Sequence, residues 1–326
     1  MAKKNNCRTT DSTLRQLIDY YEICNRSEAK SPKTISWYTA NLIQFERYLK
    51  SRHNSTAIEK LDIKILREYV LYLLNKTKGN SDRSSTSKQQ LSPMTVHGHV
   101  RTLRAFFSWL VKESLVDQNP AAGLKPPKVP YKVITILSDD EIRTILNTFN
   151  PKNPIDTRNQ VIVMILLDTG LRINELAGLR MSDLYLKEGI VKVMGKGRRE
   201  RIVPIGAVAQ RALNRYLFRF RRNPINAAID NVFLTQDGYP LTENCIKLMF
   251  TRLAKRSGVK RLHAHLCRHT FATKYLANGG DVLSLQQILG HSSLEMVRRY
   301  ANLTSNHIVM KHQQFSPLDR VNLGAS

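Results

Sequence analysis

Residues 189–205 read Gly-Ile-Val-Lys-Val-Met-Gly-Lys-Gly-Arg-Arg-Glu-Arg-Ile-Val-Pro-Ile. Residues 189–194 and 201–205 are β-type runs, and the Gly195-Lys196-Gly197-Arg198-Arg199 segment between them is rich in turn formers and positive charge, so the stretch predicts a basic β-hairpin. Outward from it the pattern is mostly helical. Upstream, Leu14, Leu17, Ile18 and Tyr21 recur at offsets of 3, 4 and 7, the spacing of one helical face. A second helix starts at Ser31-Pro32 and carries Ile35, Tyr38, Leu42, Phe45 and Leu49; a third covers 61–74; a fourth starts at Ser92-Pro93 and runs through Val96, Val100, Leu103, Phe107 and Leu110. The fold class expected is mainly α with a small β-hairpin or sheet, beginning with a four-helix domain.

Between the third and fourth helices, 76–92 is rich in Ser and Lys with little to bury, and reads as a loop. Residues 119–133 hold four of the twelve prolines and three lysines, the composition of a domain boundary. Beyond it, Ser138 and Glu141 form a capping box that opens a new helix. The expected organisation is a helical domain at 1–117, a Pro/Lys-rich linker at 118–137, a mixed α/β domain at 138–312 and a C-terminal tail at 313–326.

The chain of 326 residues has 51 Lys and Arg against 26 Asp and Glu, a formal net charge of +25. Residues 1–130 carry 22 basic and 11 acidic side chains and 131–326 carry 29 and 15, so the excess belongs to both halves rather than to a charged tail. Two basic domains point to one shared polyanion. No apolar run approaches the roughly 18 residues a membrane span needs, and Met1-Ala2-Lys3-Lys4-Asn5-Asn6 leads into no apolar segment, so a soluble, cytoplasmic protein is expected, with no membrane partner. Cys7, Cys24, Cys245 and Cys267 are scattered without a Cys-x-x-Cys pair, which argues against a disulfide framework or a zinc site.

Four segments of the second domain can carry chemistry. In Leu167-Asp168-Thr169-Gly170-Leu171-Arg172-Ile173-Asn174-Glu175-Leu176, Gly170 can end one helix and Arg172 stands three residues before Glu175, close enough for the carboxylate to orient the guanidinium; a surface ion pair is the alternative. Lys196, at the hairpin tip between glycines, can protonate an oxygen or simply contact a phosphate. His265 and Arg268 share a face at the start of a helix and can bind a phosphate; a metal is the rival, but no partner has the familiar ligand spacing. Ser292 and Glu295 cap a short helix with His291 just ahead of it and Tyr300 in its third turn, where Tyr300, one of twelve tyrosines, taken alone reads as a core aromatic. Residues 281–302 also fit a helix-turn-helix that only binds DNA.

Taken in order, 169–176, 195–201, 265–269, Leu289-Gly290-His291 and the tyrosine nine residues further on resemble the tyrosine recombinase, or phage integrase, family over about residues 12–312. The one departure is Cys267 where leucine is usual. The resemblance implies a core-binding, SAM-like DNA-binding domain followed by a catalytic domain. It implies Arg172, Lys196, His265, Arg268, His291 and the nucleophile Tyr300 as catalytic residues, supported by Glu175, with no cofactor and no metal. It also implies a 3′-phosphotyrosyl intermediate, a Holliday junction, and double-stranded DNA with an inverted-repeat core site, bound by a homodimer and synapsed by a homotetramer. An accessory DNA-bending protein or a second recombinase is a further implied partner, and the tail is expected to dock on a neighbouring protomer. About ten residues precede the first helix, as in Xer-like recombinases and mobile-element integrases or transposases. The alternatives are a type IB topoisomerase and a non-enzymatic basic regulator.

Overall fold

The computed structural model describes residues 13–76, 90–129, 135–195 and 200–290, and divides into two compact units, 1–132 and 133–326. The first unit is built from α1 (Leu14–Ser27), α2 (Pro32–His53), α3 (Ile63–Asn75) and α4 (Pro93–Lys112). Local chemistry starts each helix. Thr13 and Gln16 form a reciprocal capping box, and Ser31 and Ser92 each accept from the amide three residues on, with proline in the first turn. The apolar faces meet in a core containing Leu42, Phe45, Tyr69, Leu103, Phe106 and Phe107. Much of the predicted loop at 76–92 lies outside the described residues. Ala121 and Leu124, inside the Pro/Lys-rich stretch, are buried in this same core, while Leu137 is buried in that of the second unit.

The second unit runs α5 (Asp139–Asn147), α6 (Pro154–Thr169), α7 (Ile173–Ala177), β1 (Leu184–Tyr185), β2 (Ile190–Met194), β3 (Glu200–Pro204), α8 (Ala207–Arg219), α9 (Glu243–Ser257), α10 (Ala264–Ala277) and α11 (Val282–Leu289). The capping box at Ser138 and Glu141 is present as expected. From Val161 to Leu167 helix α6 is apolar all round, with Val161, Ile162, Val163, Ile165 and Leu166 buried, which suits an element packed against both α8 and α10. The hairpin strands pair antiparallel with Val191 opposite Val203 and Val193 opposite Arg201, and β1 adds a third strand in the order β1-β2-β3. Two residues are too few to show an alternation, which is why β1 gave no sequence signal. Of the two short helices expected over 281–302, α11 is the first; the second falls outside the described residues. Among the described residues no helix is long and apolar enough to cross a membrane.

Gly170 closes α6 at φ 62° in the left-handed region, and a Cβ there would stand 2.5 Å from Phe271 Cδ1 and 2.8 Å from Leu289 Cδ2. Backbone handedness and space therefore both demand glycine. Gly170→Ala is expected to destabilise the protein by about 2–5 kcal/mol, combining roughly 1–2 for left-handed strain with about 1–3 for overpacking. Urea unfolding measures it, and a loss below about 1 kcal/mol would show that Phe271 and Leu289 yield freely.

Candidate active site

The left-handed turn at Gly170 delivers Arg172 to the N-cap of α7, three residues from Glu175. Glu175 Oε2 accepts from the Arg172 backbone amide at 2.9 Å and Oε1 from its Nη1 at 2.8 Å, so both the backbone and the guanidinium of Arg172 are held by one carboxylate. Arg172 Nη2 also donates to the Gly290 carbonyl at 3.2 Å, and its side chain keeps 28% of its exposure, enough to meet a ligand. The predicted pair is thus formed, but it is no surface ion pair: the Glu175 side chain is only 2% exposed.

Burial by itself would raise the Glu175 pKa. It is nevertheless held below the usual carboxylate value, by Arg201 and then by the Arg172 backbone amide and guanidinium. Arg201 lies on β3 and places Nη1 and Nη2 at 3.0 and 2.8 Å from the two oxygens of Glu175. Sequence reading assigned this residue only to the basic hairpin. A signal was present: Arg201, Val203 and Ile205 alternate on one face of the strand, and a cation in register with buried apolar neighbours needs an internal partner.

Arg268, one turn into α10, is buried with 3% exposure. It donates through Nη1 to the Gly170 carbonyl and through Nη2 to the Leu289 carbonyl, at 2.8 Å for the latter. The Leu289 carbonyl is next to the Gly290 carbonyl that accepts from Arg172, so the two arginines converge on the 289–290 segment. His263 caps α10 by accepting the Leu266 amide at Nδ1, which sets the first turn carrying His265. His265 keeps an exposed face, yet partial burial first, and then the positive charge of Arg268, hold it below the ordinary imidazole pKa. It is therefore neutral at pH 7 and able to accept a proton. His269 meets the His265 ring edge-on at 5.3 Å and is pushed down to about 4, by burial and then by the neighbouring histidines.

The structure thus brings together Arg172, Glu175, His265 and Arg268. Lys196, His291 and Tyr300 lie outside the described residues, although both flanks of the Lys196 turn and the Leu289-Gly290 segment before His291 are described. Among the described residues no group of three or more His, Cys, Asp or Glu side chains could hold a metal ion. Cys267, the departure noted above, is fully buried; burial pushes its thiol up to about 12, consistent with a packing role.

Comparison with known proteins adds to this geometry. Residues 135–307 match the model of the phage integrase family, and residues 13–126 match that of the phage integrase SAM-like domain. A tyrosine recombinase XerC from Bacillus pumilus is 32% identical over 92% of this chain and 94% of its own length. A tyrosine recombinase XerD from Halalkalibacterium halodurans is 30% identical over 95% of this chain and 99% of its own. Among solved structures, the Tn1549 transposon integrase in complex with transposon right end DNA superposes with a TM-score of 0.73 at 23% identity, covering 94% of this chain and all of that one. A lambda integrase dimer bound to a core site gives 0.69 at 19% identity, covering 87% of this chain and 97% of that one, so these two share the fold.

Proposed function

The chain belongs to the phage integrase family and is a site-specific tyrosine recombinase, and from that premise we propose how its own residues cut and rejoin a duplex. Tyr300 attacks a backbone phosphorus through its phenolic oxygen. A 3′-phosphotyrosyl bond forms as the bond to the 5′-oxygen breaks, and that leaving oxygen takes a proton from Lys196. His265, neutral at pH 7, accepts the phenolic proton, and His291 donates to the phosphate. Negative charge grows on the non-bridging oxygens of the pentavalent phosphorus, where Arg172 and Arg268 supply permanently charged donors. One phosphoester is exchanged for another, so the reverse attack by a 5′-hydroxyl rejoins DNA without ATP.

The observation that supports this reading best is that the buried Glu175 carboxylate fixes an Arg172 that donates to Gly290, beside the Leu289 carbonyl that holds Arg268. Residues 1–117 and 138–312 then serve as the binding and catalytic domains on one duplex with an inverted repeat, two copies per site and four in the synapse, with 313–326 docking on a neighbour. The +25 charge supplies the grip, and in the helical unit Arg101, set 5.1 Å over the Trp37 ring, stands beside Arg104 on an exposed face of a helix without carboxylates. The test is to trap the protein covalently on DNA and sequence the DNA retained. One recurring sequence with an inverted repeat around the break is expected. Adducts at unrelated sequences would indicate topoisomerase-like relaxation, and binding without an adduct would indicate a regulator.

A further inference from the structure

We propose that Arg201 is a positioning residue whose positive charge keeps Glu175 from neutralising Arg172, leaving the Arg172 guanidinium both fixed and effectively cationic toward a phosphate. This rests on the catalytic reading above.

The charge count carries the inference. Arg172 and Glu175 alone form a neutral pair, and a carboxylate 2.8 Å from Nη1 would cancel much of the field that Arg172 exerts on a phosphate. With Arg201 at 2.8 Å from the other oxygen, the group of three retains one net positive charge. Each Glu175 oxygen accepts one bond from Arg172, by its amide or its guanidinium, and one from the Arg201 guanidinium, so the carboxylate cannot turn toward one arginine without breaking bonds to the other.

All three nitrogens of the Arg201 guanidinium are engaged within the protein. Its side chain is 13% exposed, Nη1 and Nη2 are on Glu175, and Nε donates to the Ile288 carbonyl at 2.9 Å. That last bond ties β3 to the end of α11, which Gly290 closes at φ 61°. A Cβ on Gly290 would come within 3.1 Å of three atoms of the Arg201 guanidinium, so glycine leaves the space that Arg201 occupies. Arg201 therefore joins α7, β3 and the end of α11 through one side chain.

The experiment measures single-turnover covalent trapping on a nicked suicide substrate at saturating DNA, with Kd and Tm measured in parallel, for wild type, Arg201→Met, Arg201→Lys and Arg201→Met/Glu175→Gln. Arg201→Met is expected to cleave at least about tenfold more slowly while Kd stays within about threefold, because the loss falls on transition-state charge rather than on grip. Arg201→Lys restores the charge and should recover most of the rate. The double variant, in which a neutral amide replaces the carboxylate beside Arg172, restores the net charge and should cleave faster than Arg201→Met alone. Arg201→Gln replaces Arg201→Met if that variant does not fold. A purely structural Arg201 would give rates that follow Tm, with no gain in the double variant, and that result would overturn the proposal, as would wild-type cleavage by Arg201→Met. Failure of wild type to form any adduct would instead strike the catalytic reading on which the proposal rests.

Discussion

Tyr300→Phe leaves binding to a cognate half-site near the wild-type value and abolishes covalent trapping on a nicked suicide substrate. Phenylalanine keeps the ring and removes only the attacking oxygen, so any packing role of the side chain survives while the phosphotyrosyl bond cannot form. The expected loss in cleavage is on the order of 10⁴- to 10⁶-fold, the scale on which removal of a covalent nucleophile acts. Binding persists because it is carried by the basic surface of a chain with a net charge of +25, and one neutral phenol is no part of that charge. Normal trapping by Tyr300→Phe would remove Tyr300 from the reaction.

Arg172→Ala is expected to lower the cleavage rate by about 10²- to 10³-fold at saturating DNA, comparable to deleting one oxyanion donor. In the proposed mechanism the guanidinium meets charge that develops only as phosphorus becomes pentavalent, so the loss should appear in the rate constant rather than in affinity. Stability should change little by comparison, because Glu175 keeps the bidentate contact from Arg201 and is not left buried without a counter-charge. A cleavage rate within a few-fold of wild type would contradict the role given to Arg172.

Much of this is legible in the chain itself. The helical period placed Leu14, Leu17, Ile18 and Tyr21 on one buried face, and the serines before Pro32 and Pro93 marked the starts of α2 and α4. The hairpin flanking Lys196 appears within a residue of its expected limits, since glycine-rich turns between β-type runs are governed by neighbours in the chain. The pairing of Arg172 with Glu175 was legible for the same reason, being three residues apart. What escaped was Arg201, whose partner lies 26 residues away, and the extent of the connector, because only packing reveals that Ala121 and Leu124 belong to the first core.

The division follows from the range of the forces involved. Caps, helical faces and the hairpin depend on residues a few positions apart, and these the sequence by itself determined. Arg268 reaches the Gly170 carbonyl across 98 positions, Arg172 reaches Gly290 across 118, and Gly170 must be glycine partly because Phe271 and Leu289 press against it. Such contacts exist only once α10 packs on α6 and α11, and α11 on β3, because a buried cation or carboxylate is stable only where packing supplies its partner. The tertiary structure alone decided that Glu175 would be shared between two arginines, and so that the group of three keeps one net positive charge.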